Sequence, residues 1–516
     1  MFKKMIVLFL VAVLILSAMG CQNNQTQDDL TFIVPIRIDF ASIAPSVDVS
    51  AITKSVLRNM HDAFYRYNPE TIVPELSMAE EIIYHEDGRT VTVKLKQGMK
   101  FHNGNEVKAD DVVYSYLRLG GYTDDQDEVL DSAWERLLSP TDEAGPGSVT
   151  AIDEYTVEFV LAASAVDAFY STIEHRFADA FIIPKGLTNE EMGRNPIGVG
   201  PYKFVSYVAS DYIAFERFED YHGTKPQVQR VEFKIYNDDN AQFLAFQTKE
   251  VNYLPLTSAN FDEVQRMEGV EIIEGMSQDI RQIWLNQRED SLFSDIRLRQ
   301  AVNFAIDKNR ILQVANGGRG MILDTHLSPY NPAFNNNLQN VFTVDKDRAK
   351  ELMAQAGFPN GFDTSLAVVA ENQLDVDIAT VIQDELAQVG INVELRVLPW
   401  AEYFPTVYRE FNYEMAQLQI VAYPDAYRML ARFASTGFNF AGTNNPAYDR
   451  LIELAAAERD LEQQYEYYRQ AQQMLIDDAT NVFLMDQGVY VALNNGFTGY
   501  VNYPFAFIDI TTITKN

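Results

Sequence analysis

The chain has 516 residues, 47% of them hydrophobic, and its 41 basic and 73 acidic side chains give a formal net charge of −32 at pH 7. So acidic a surface repels phosphate backbones and anionic lipid headgroups, which argues against nucleic acid as a partner. A single cysteine excludes an internal disulfide, so the stability of the chain must come from a large buried core.

The amino-terminal stretch has the pattern of a secretory signal. Lys3 and Lys4 precede an apolar run, Met5–Leu16, and small residues lead from it to Cys21. The run is shorter than the roughly 20 residues that span a bilayer as a helix. The stretch resembles the signal of bacterial lipoproteins, whose cysteine is acylated and becomes the mature amino terminus. We therefore expect lipid on Cys21; the alternative is ordinary cleavage beside an incidental thiol.

Alternating strands appear in the region 72–197. Thr90–Lys96 (TVTVKLK) and Tyr155–Leu161 (YTVEFVL) alternate apolar and polar residues with period two, which is typical of half-buried strands. Helical patterns are intermixed with them. The region is therefore predicted to be an α+β module.

A helix is predicted after Ser294 or Asp295, since either side chain can cap its start. Its apolar positions recur on one face: Ile296, Leu298, Ala301, Val302, Ala305 and Ile306. The glycine-rich run Asn316–Gly320 (NGGRG) follows a helix and not a strand. It therefore predicts a helix stop and a turn rather than a phosphate-binding loop.

The region 364–422 predicts three parallel strands connected by helices. The order is strand Thr364–Ala370, a helix that stops at Gly390, strand Ile391–Val397, helix Trp400–Glu410 and strand Met415–Ala422. Right-handed crossovers make such strands parallel, and ligands bind beyond their carboxyl ends. Those ends carry Glu371 and Asn372, Pro399 and Trp400, and Tyr423–Asp425.

Motifs for catalysis or metal binding are missing from the sequence. The six histidines are scattered without paired spacing, and there is no nucleophile elbow, phosphate loop or EF-hand loop. Adjacent carboxylates such as Asp110 and Asp111 are expected by chance among 73 acidic residues. We therefore predict no metal, no cofactor and no enzymatic activity.

Several stretches resemble the extracytoplasmic solute-binding proteins, family 5, which include the oligopeptide-, dipeptide- and nickel-binding receptors of ABC importers. The resemblance is carried by Val93–Leu119 (VKLKQGMKFHNGNEVKADDVVYSYLRL), Asn195–Phe204 (NPIGVGPYKF) and Leu285–Leu312 (LNQREDSLFSDIRLRQAVNFAIDKNRIL). The later segments AGFPNGF, ELAQVGINVEL and NPAYDRLI follow in the family's order. The resemblance covers essentially the whole mature chain.

The resemblance implies an α/β, two-lobed, periplasmic-binding-protein-like fold (type II, cluster C) with an inserted α+β subdomain. The implied segments are 1–21, a lipoprotein signal peptide ending at the lipidated cysteine; 22–29, a flexible tether; 30–71, 198–281 and 491–516, lobe I; 72–197, the inserted subdomain; and 282–490, lobe II.

The resemblance also implies a function without catalysis. The chain would be the lipid-anchored, monomeric substrate-binding protein of a peptide-type ABC transporter, held at the outer face of a bacterial cell membrane by lipid on Cys21. It would capture an oligopeptide or dipeptide between hinged lobes and deliver it to the membrane permease. The alternatives are the same fold binding another solute, such as chelated nickel, an oligosaccharide or an opine, or a receptor that senses a peptide pheromone.

Family peptide receptors hold the peptide backbone on strand edges in both lobes. By the resemblance, these edges would lie near Val49–Ala51 in lobe I and within Leu418–Ala422 in lobe II. The family often places an aspartate in the second stretch to pair with the peptide's amino group, but Ala416–Tyr423 contains no carboxylate. We hypothesise that Asp425 replaces it, the alternative being that Asp425 caps the following helix.

Five further side chains are candidate ligand contacts. Trp400 and Tyr423 are expected to offer apolar and stacking contacts at the rim, the alternative for Trp400 being a place in the core. Asn286, at the end of a predicted strand, would hydrogen-bond the ligand or cap a turn. Tyr65 and Arg66 follow the family's first-lobe helix and are expected to line the cleft.

Overall fold

Strands and helices are intermixed along the described part of the chain. The computed structural model describes residues 30–37, 39–46, 50–69, 73–123, 129–165, 173–236, 238–257, 259–277, 279–338, 341–420, 425–458, 460–503 and 507–516. Up to Arg194 the elements are β1 (Thr31–Ile36), α1 (Ala51–Leu57), β2 (Tyr65–Tyr67), β3 (Pro74–Leu76), β4 (Ala79–Tyr84), β5 (Thr90–Leu95), α2 (Ala109–Leu119), α3 (Ser132–Leu137), β6 (Ser148–Ala151), β7 (Thr156–Val160), α4 (Ile173–Asp179) and α5 (Asn189–Arg194). From there to Leu285 they are β8 (Tyr202–Val208), β9 (Tyr212–Arg217), β10 (Arg230–Ile235), α6 (Asp239–Gln247), β11 (Tyr253–Pro255), α7 (Phe261–Val264), β12 (Glu271–Gly275) and β13 (Ile280–Leu285).

The second half of the chain is richer in helix. Up to Gln417 it contains a 3₁₀ turn (Leu292–Ser294), α8 (Ile296–Ala305), α9 (Lys308–Asn316), β14 (Met321–Ile322), a 3₁₀ turn (Asn336–Leu338), α10 (Lys346–Gln355), β15 (Phe362–Val369), α11 (Gln373–Ala387), β16 (Ile391–Leu398), α12 (Trp400–Tyr403), a π-helical continuation (Phe404–Arg409) and β17 (Met415–Gln417). The last elements are α13 (Ala426–Leu430), a 3₁₀ turn (Ala431–Phe433), α14 (Pro446–Ala457), α15 (Leu461–Asp477), β18 (Asn481–Asp486), β19 (Val489–Leu493), β20 (Phe497–Thr498) and β21 (Thr514–Lys515). No helix within the described ranges is long and apolar enough to cross a bilayer.

Two larger sheets form the body of lobe I, by which we mean the described residues within 30–69, 198–277 and 489–516; β20 and β21 add a two-stranded sheet. One has the strand order β1-β10-β9-β8, with β1 parallel to β10, and the other has the order β11-β19-β12. Their apolar faces share one buried cluster, which includes Phe32 and Phe233 of the first sheet and Tyr253 and Val491 of the second. Lobe I thus draws its sheets from three separate stretches of chain.

An antiparallel sheet, β4-β5-β7-β6, forms the inserted domain, residues 73–197. The predicted strands are present as β5 and β7, and their side chains alternate between more and less buried positions as predicted. Aromatic rings fill the core between sheet and helices, with Tyr116 4.7 Å from Trp134 and 4.8 Å from Phe159 by ring centroids. In the returning segment, a side chain at Gly198 or Gly200 would collide with the Met60 backbone, which explains both glycines.

Lobe II, residues 279–486, is built on a six-stranded sheet with the order β14-β18-β13-β17-β15-β16. β15 pairs in parallel with both β16 and β17, as the alternation of strand and helix predicted. Helices cover both faces. α8, α10 and α11 pack over Ile283 and Leu285 on one face, and α13, α14 and α15 pack over Trp284 on the other.

The chain crosses between the lobes twice. β12 belongs to a lobe I sheet and β13 to the lobe II sheet, and the same change occurs between β18 and β19. The crossings therefore lie between the end of β12 at Gly275 and the start of β13 at Ile280, and at residues 487–488 between β18 and β19. The expected boundaries at 281/282 and 490/491 fall inside β13 and β19. Both crossings join strand to strand with similar apolar content, so the sequence pattern does not mark them.

Candidate functional site

The edge of the lobe II sheet that faces lobe I collects the strand ends predicted from the sequence. Because β15, β16 and β17 are parallel, the residues after them, including Glu371, Trp400 and Asp425, lie at one edge. β13 and β18 also meet lobe I at this edge through the two crossings. The predicted contact Tyr423 lies outside the described residues.

Trp400 lies at this rim and is not part of the core. Its side chain is 45% exposed, and its backbone N–H donates to both carboxylate oxygens of Glu371 at 2.9 and 3.0 Å. The indole ring stacks on Tyr403 with the centroids 6.0 Å apart. The geometry leaves much of the ring available to a ligand, and the alternative of a core position is wrong.

Asp425 caps a helix at the same rim. Its Oδ1 accepts a hydrogen bond from the N–H of Tyr427 at 2.9 Å, so it is the N-cap of α13. Burial raises the pKa of the carboxyl to about 6, although Arg176 and Arg428 act in the opposite direction. Asp425 therefore caps the following helix, which is the alternative stated from the sequence, and any role in binding must be compatible with this cap.

The wall opposite Asp425 is formed by β2 and α4. Burial raises the pKa of the Tyr67 hydroxyl, and the charges of Asp179 and Asp425 raise it further. Burial lowers the pKa of Arg176, whereas Asp131 and Asp425 raise it. The charge of Asp425, in lobe II, thus acts on the pKa of two side chains of this wall.

Tyr67 is held in place within this wall. Its hydroxyl lies 3.1 Å from Nδ1 of His175, and the Arg58 guanidinium lies 5.6 Å from the centre of its ring. Arg58 also forms an ion pair with Asp179 at the end of α4. Sequence reasoning missed Tyr67 and Arg176, because only the fold brings them opposite Asp425.

Tyr65 and Arg66 line a small recess of about 20 Å³ in the same wall. Tyr65 is mostly buried, 3.5 Å from the hydroxyl of Tyr84, and burial raises its pKa to about 12. Arg66 lies 3.8 Å from the carboxylate of Asp62, which also accepts hydrogen bonds from Ser77 and other neighbours. Both residues are therefore largely structural in this arrangement, with Arg66 compensating a buried carboxylate.

Asn286 lies at the wrong edge to contact a ligand. β13 runs antiparallel to β17, so its end at Leu285 is at the edge of the sheet opposite the rim. The Asn286 amide donates to the carbonyl of Tyr413 at 2.7 Å, and its Oδ1 accepts from the N–H of Arg288. The residue fastens a turn, which is the alternative considered for it from the sequence.

The two predicted backbone edges differ from expectation. Val49 lies outside the described residues, and Ala51 is the first residue of α1 rather than part of a strand. The expected lobe I strand edge is thus replaced, at Ala51, by the start of a helix that Ser50 caps through the N–H of Thr53. In lobe II, Ile420 exchanges two backbone hydrogen bonds of 3.1 Å with Ile280, so one side of that stretch is already paired.

The described residues contain no group of three or more histidine, cysteine, aspartate or glutamate side chains arranged to hold a metal ion. The site as described is a cleft wall of aromatic and charged side chains. Such side chains offer hydrogen bonds, aromatic stacking and charge pairing.

Comparison with known proteins identifies the family. Residues 72–440 match the family described as bacterial extracellular solute-binding proteins, family 5 Middle. The chain is 25% identical over 475 residues to the oligopeptide-binding protein AppA of Bacillus subtilis (strain 168), covering 87% of this chain and 84% of that protein. It is 26% identical over 465 residues to the dipeptide-binding protein of Escherichia coli (strain K12), covering 85% of each.

The fold is shared with solved structures. HbpA2 from Haemophilus parasuis superimposes with a TM-score of 0.82 at 21% sequence identity, covering 94% of this chain and all of that one. This confirms the predicted two-lobed α/β fold of type II. The match over most of the sequence, on this two-lobed frame, shows that the chain belongs to the bacterial extracellular solute-binding proteins of family 5.

Proposed function

We propose that this protein is the substrate-binding receptor of a peptide-type ABC importer and captures an oligopeptide or dipeptide between its lobes. The observation that carries the proposal is the rim of parallel strand ends in lobe II, which faces the wall of β2 and α4 across two short crossings. A ligand that touches both walls favours the closed arrangement by its difference in affinity for the two states. The names of the two curated relatives support peptides as the ligand class.

The ligand is best identified by mass spectrometry of molecules released from purified protein. Peptides recovered in stoichiometric amount would support the proposal. A non-peptide solute would replace it with the second candidate, a receptor of the same fold for a chelated metal, an oligosaccharide or an opine. That candidate is favoured by one observation: Ala416–Tyr423 lacks the carboxylate expected for an amino group, and the nearest, Asp425, caps a helix.

Asp425 is proposed to bind the amino group of the peptide while it caps α13. Asp425→Asn keeps an oxygen acceptor for the cap but removes the charge, whereas Asp425→Ala removes both. We expect both variants to bind a recovered peptide about tenfold more weakly, since a buried charged partner has been lost. Calorimetry with that peptide and its N-acetylated form measures this; the acetylated form should bind the parent and Asp425→Asn equally, because both keep the cap. Unchanged peptide affinity in Asp425→Asn would leave only the capping role.

We further propose that lipid on Cys21 anchors the receptor at the outer face of the membrane, beside its permease. Anchoring raises the local concentration of receptor at the transporter without any new contact. We expect Cys21→Ser to abolish incorporation of a labelled fatty acid and to release the protein from the membrane fraction, with Asn24→Ser as the control. A labelled Cys21→Ser variant would contradict the assignment. The anchored receptor is proposed to act as a monomer, which sedimentation in detergent tests.

A further inference from the structure

A second contact between the lobes lies beside the crossings. The end of α9 and the loop after it, residues 316–320 of lobe II, reach lobe I through Arg319. The guanidinium carbon lies 4.8 Å from the centre of the Phe261 ring, and Nη1 lies 3.9 Å from the carboxylate of Asp262. We call this contact, with its partners Tyr490 and Gly320 described next, the rear contact.

Tyr490 of β19 completes the rear contact from lobe I. Its hydroxyl accepts a hydrogen bond from the Gly320 N–H at 3.0 Å and donates one to Glu274 at 2.9 Å. The Tyr490 ring also meets the Phe261 ring edge to face at 5.1 Å. The lobe I side is therefore a preassembled platform of two rings and a fixed hydroxyl.

The loop itself is tied to the second crossing. The side-chain amide of Asn316 donates to the carbonyl of Gln487 at 2.9 Å. A Cβ atom at Gly320 would lie 2.3 Å from the Asp486 carbonyl, so only glycine permits this approach. The loop thus moves with lobe II and cannot follow lobe I when the crossings bend. A cavity of about 330 Å³, lined by both lobes, lies beside it.

The rear contact and the cleft are on opposite faces of the lobe II sheet. α9 and α11 pack on the face of Ile283 and Leu285, and the rear contact extends from the end of α9. Asp425 begins α13, which packs on the face of Trp284. A rotation about the crossings that moves α13 toward the wall of β2 and α4 must therefore lift the loop from Phe261 and Tyr490.

The geometry points to a built-in brake on closure: the rear contact stabilises the lobe arrangement seen here, and ligand binding must break it. The rear contact weakens ligand binding, because part of the binding free energy of the ligand is used to break the contact when the lobes close. The role rests on the proposed hinge motion but not on the identity of the ligand. Removing the Arg319 side chain should raise the closed fraction of ligand-free protein about fivefold, as expected for a partly exposed cation–π contact.

Pulsed electron paramagnetic resonance measures that fraction in the full chain carrying Cys21→Ser. Nitroxides at Ser132→Cys in the inserted domain and Glu462→Cys in lobe II report the distance across the cleft; both positions are exposed. Arg319→Ala and Phe261→Leu should each enlarge the short-distance population. The matched control is Arg348→Ala, which removes the same charge from an exposed ion pair elsewhere in lobe II.

The outcomes separate the two proposals. If Arg319→Ala and Phe261→Leu match Arg348→Ala while tryptic casein peptides still shorten the distance in the unsubstituted protein, the brake is overturned and the hinge stands. If neither peptides nor any variant produces a shorter distance, both the brake and the hinge proposal fail. An enlarged short-distance population confined to Arg319→Ala and Phe261→Leu supports the brake.

Discussion

Replacing Trp284 by alanine is expected to lower the free energy of unfolding of lobe II by about 4 kcal/mol, the usual cost of emptying a large aromatic site in a core. Trp284 is 1% exposed and lies on the central strand β13. Its ring stacks on Phe433 at 5.1 Å and meets Phe440 edge to face at 5.2 Å. Scanning calorimetry should show a lower melting temperature for the transition of lobe II.

Trp400→Ala is the matched control for that measurement, because it removes the same side chain from a site that is 45% exposed. We expect it to change the free energy of unfolding by less than about 1 kcal/mol. The affinity of the Trp400→Ala variant for a recovered ligand should fall, since the indole ring that it lacks lies at the proposed rim. Equal losses of stability in the two variants would contradict the division of the tryptophans into core and rim.

Asp279→Asn is expected to stabilise the protein at neutral pH. Burial raises the pKa of Asp279 from 3.8 to about 6, an effect that Arg281 opposes and Asp486 reinforces. The residue ends the first crossing, and its carboxylate accepts a hydrogen bond from the side chain of Gln419. Asparagine retains an acceptor there without the charge.

The sign of the pH dependence follows from proton uptake. Between about pH 4 and pH 6 the folded chain holds a proton on Asp279 that the unfolded chain has released, so the free energy of unfolding falls as pH rises. Above pH 6 the Asp279 carboxyl is ionised in the folded chain, and its burial then lowers the free energy of unfolding by the full amount. That amount is about 2 kcal/mol after allowance for partial solvation, at about 1.4 kcal/mol per pKa unit.

Melting temperatures of the parent and Asp279→Asn should therefore agree near pH 4 and diverge toward pH 7.5, with the variant higher. Asp363→Asn, at an exposed position on β15, is the control and should follow the parent at every pH. A variant that tracks the parent over the whole range would show that this carboxyl titrates normally.

The local pattern of the sequence was sufficient for much of the architecture. Period-two alternation located β5 and β7, and the order of apolar segments predicted the parallel strands β15, β16 and β17. Each of these features depends on residues close in the sequence, or on the handedness of a short crossover. The placement of Trp400 at the rim followed from the position of this residue directly after a parallel strand.

The site itself could be predicted only in part, because its walls come from distant segments. Arg176 and Asp425 are about 250 positions apart, and no local pattern links them. Asn286 was misplaced because the sequence showed a strand end but not the direction of that strand relative to β17. For Asp425, sequence alone gave two roles, and the structure shows the cap.

The strand ends at the rim have a consequence for how such receptors diversify. The loops after β15 and β16 lie at this rim, whereas the apolar clusters on the two faces of the sheet behind them stabilise the fold. We therefore expect that exchange of these short loops between relatives would leave the scaffold intact while it changed the side chains at the rim. On the proposed function, ligand preference would then be separable from the fold that displays it.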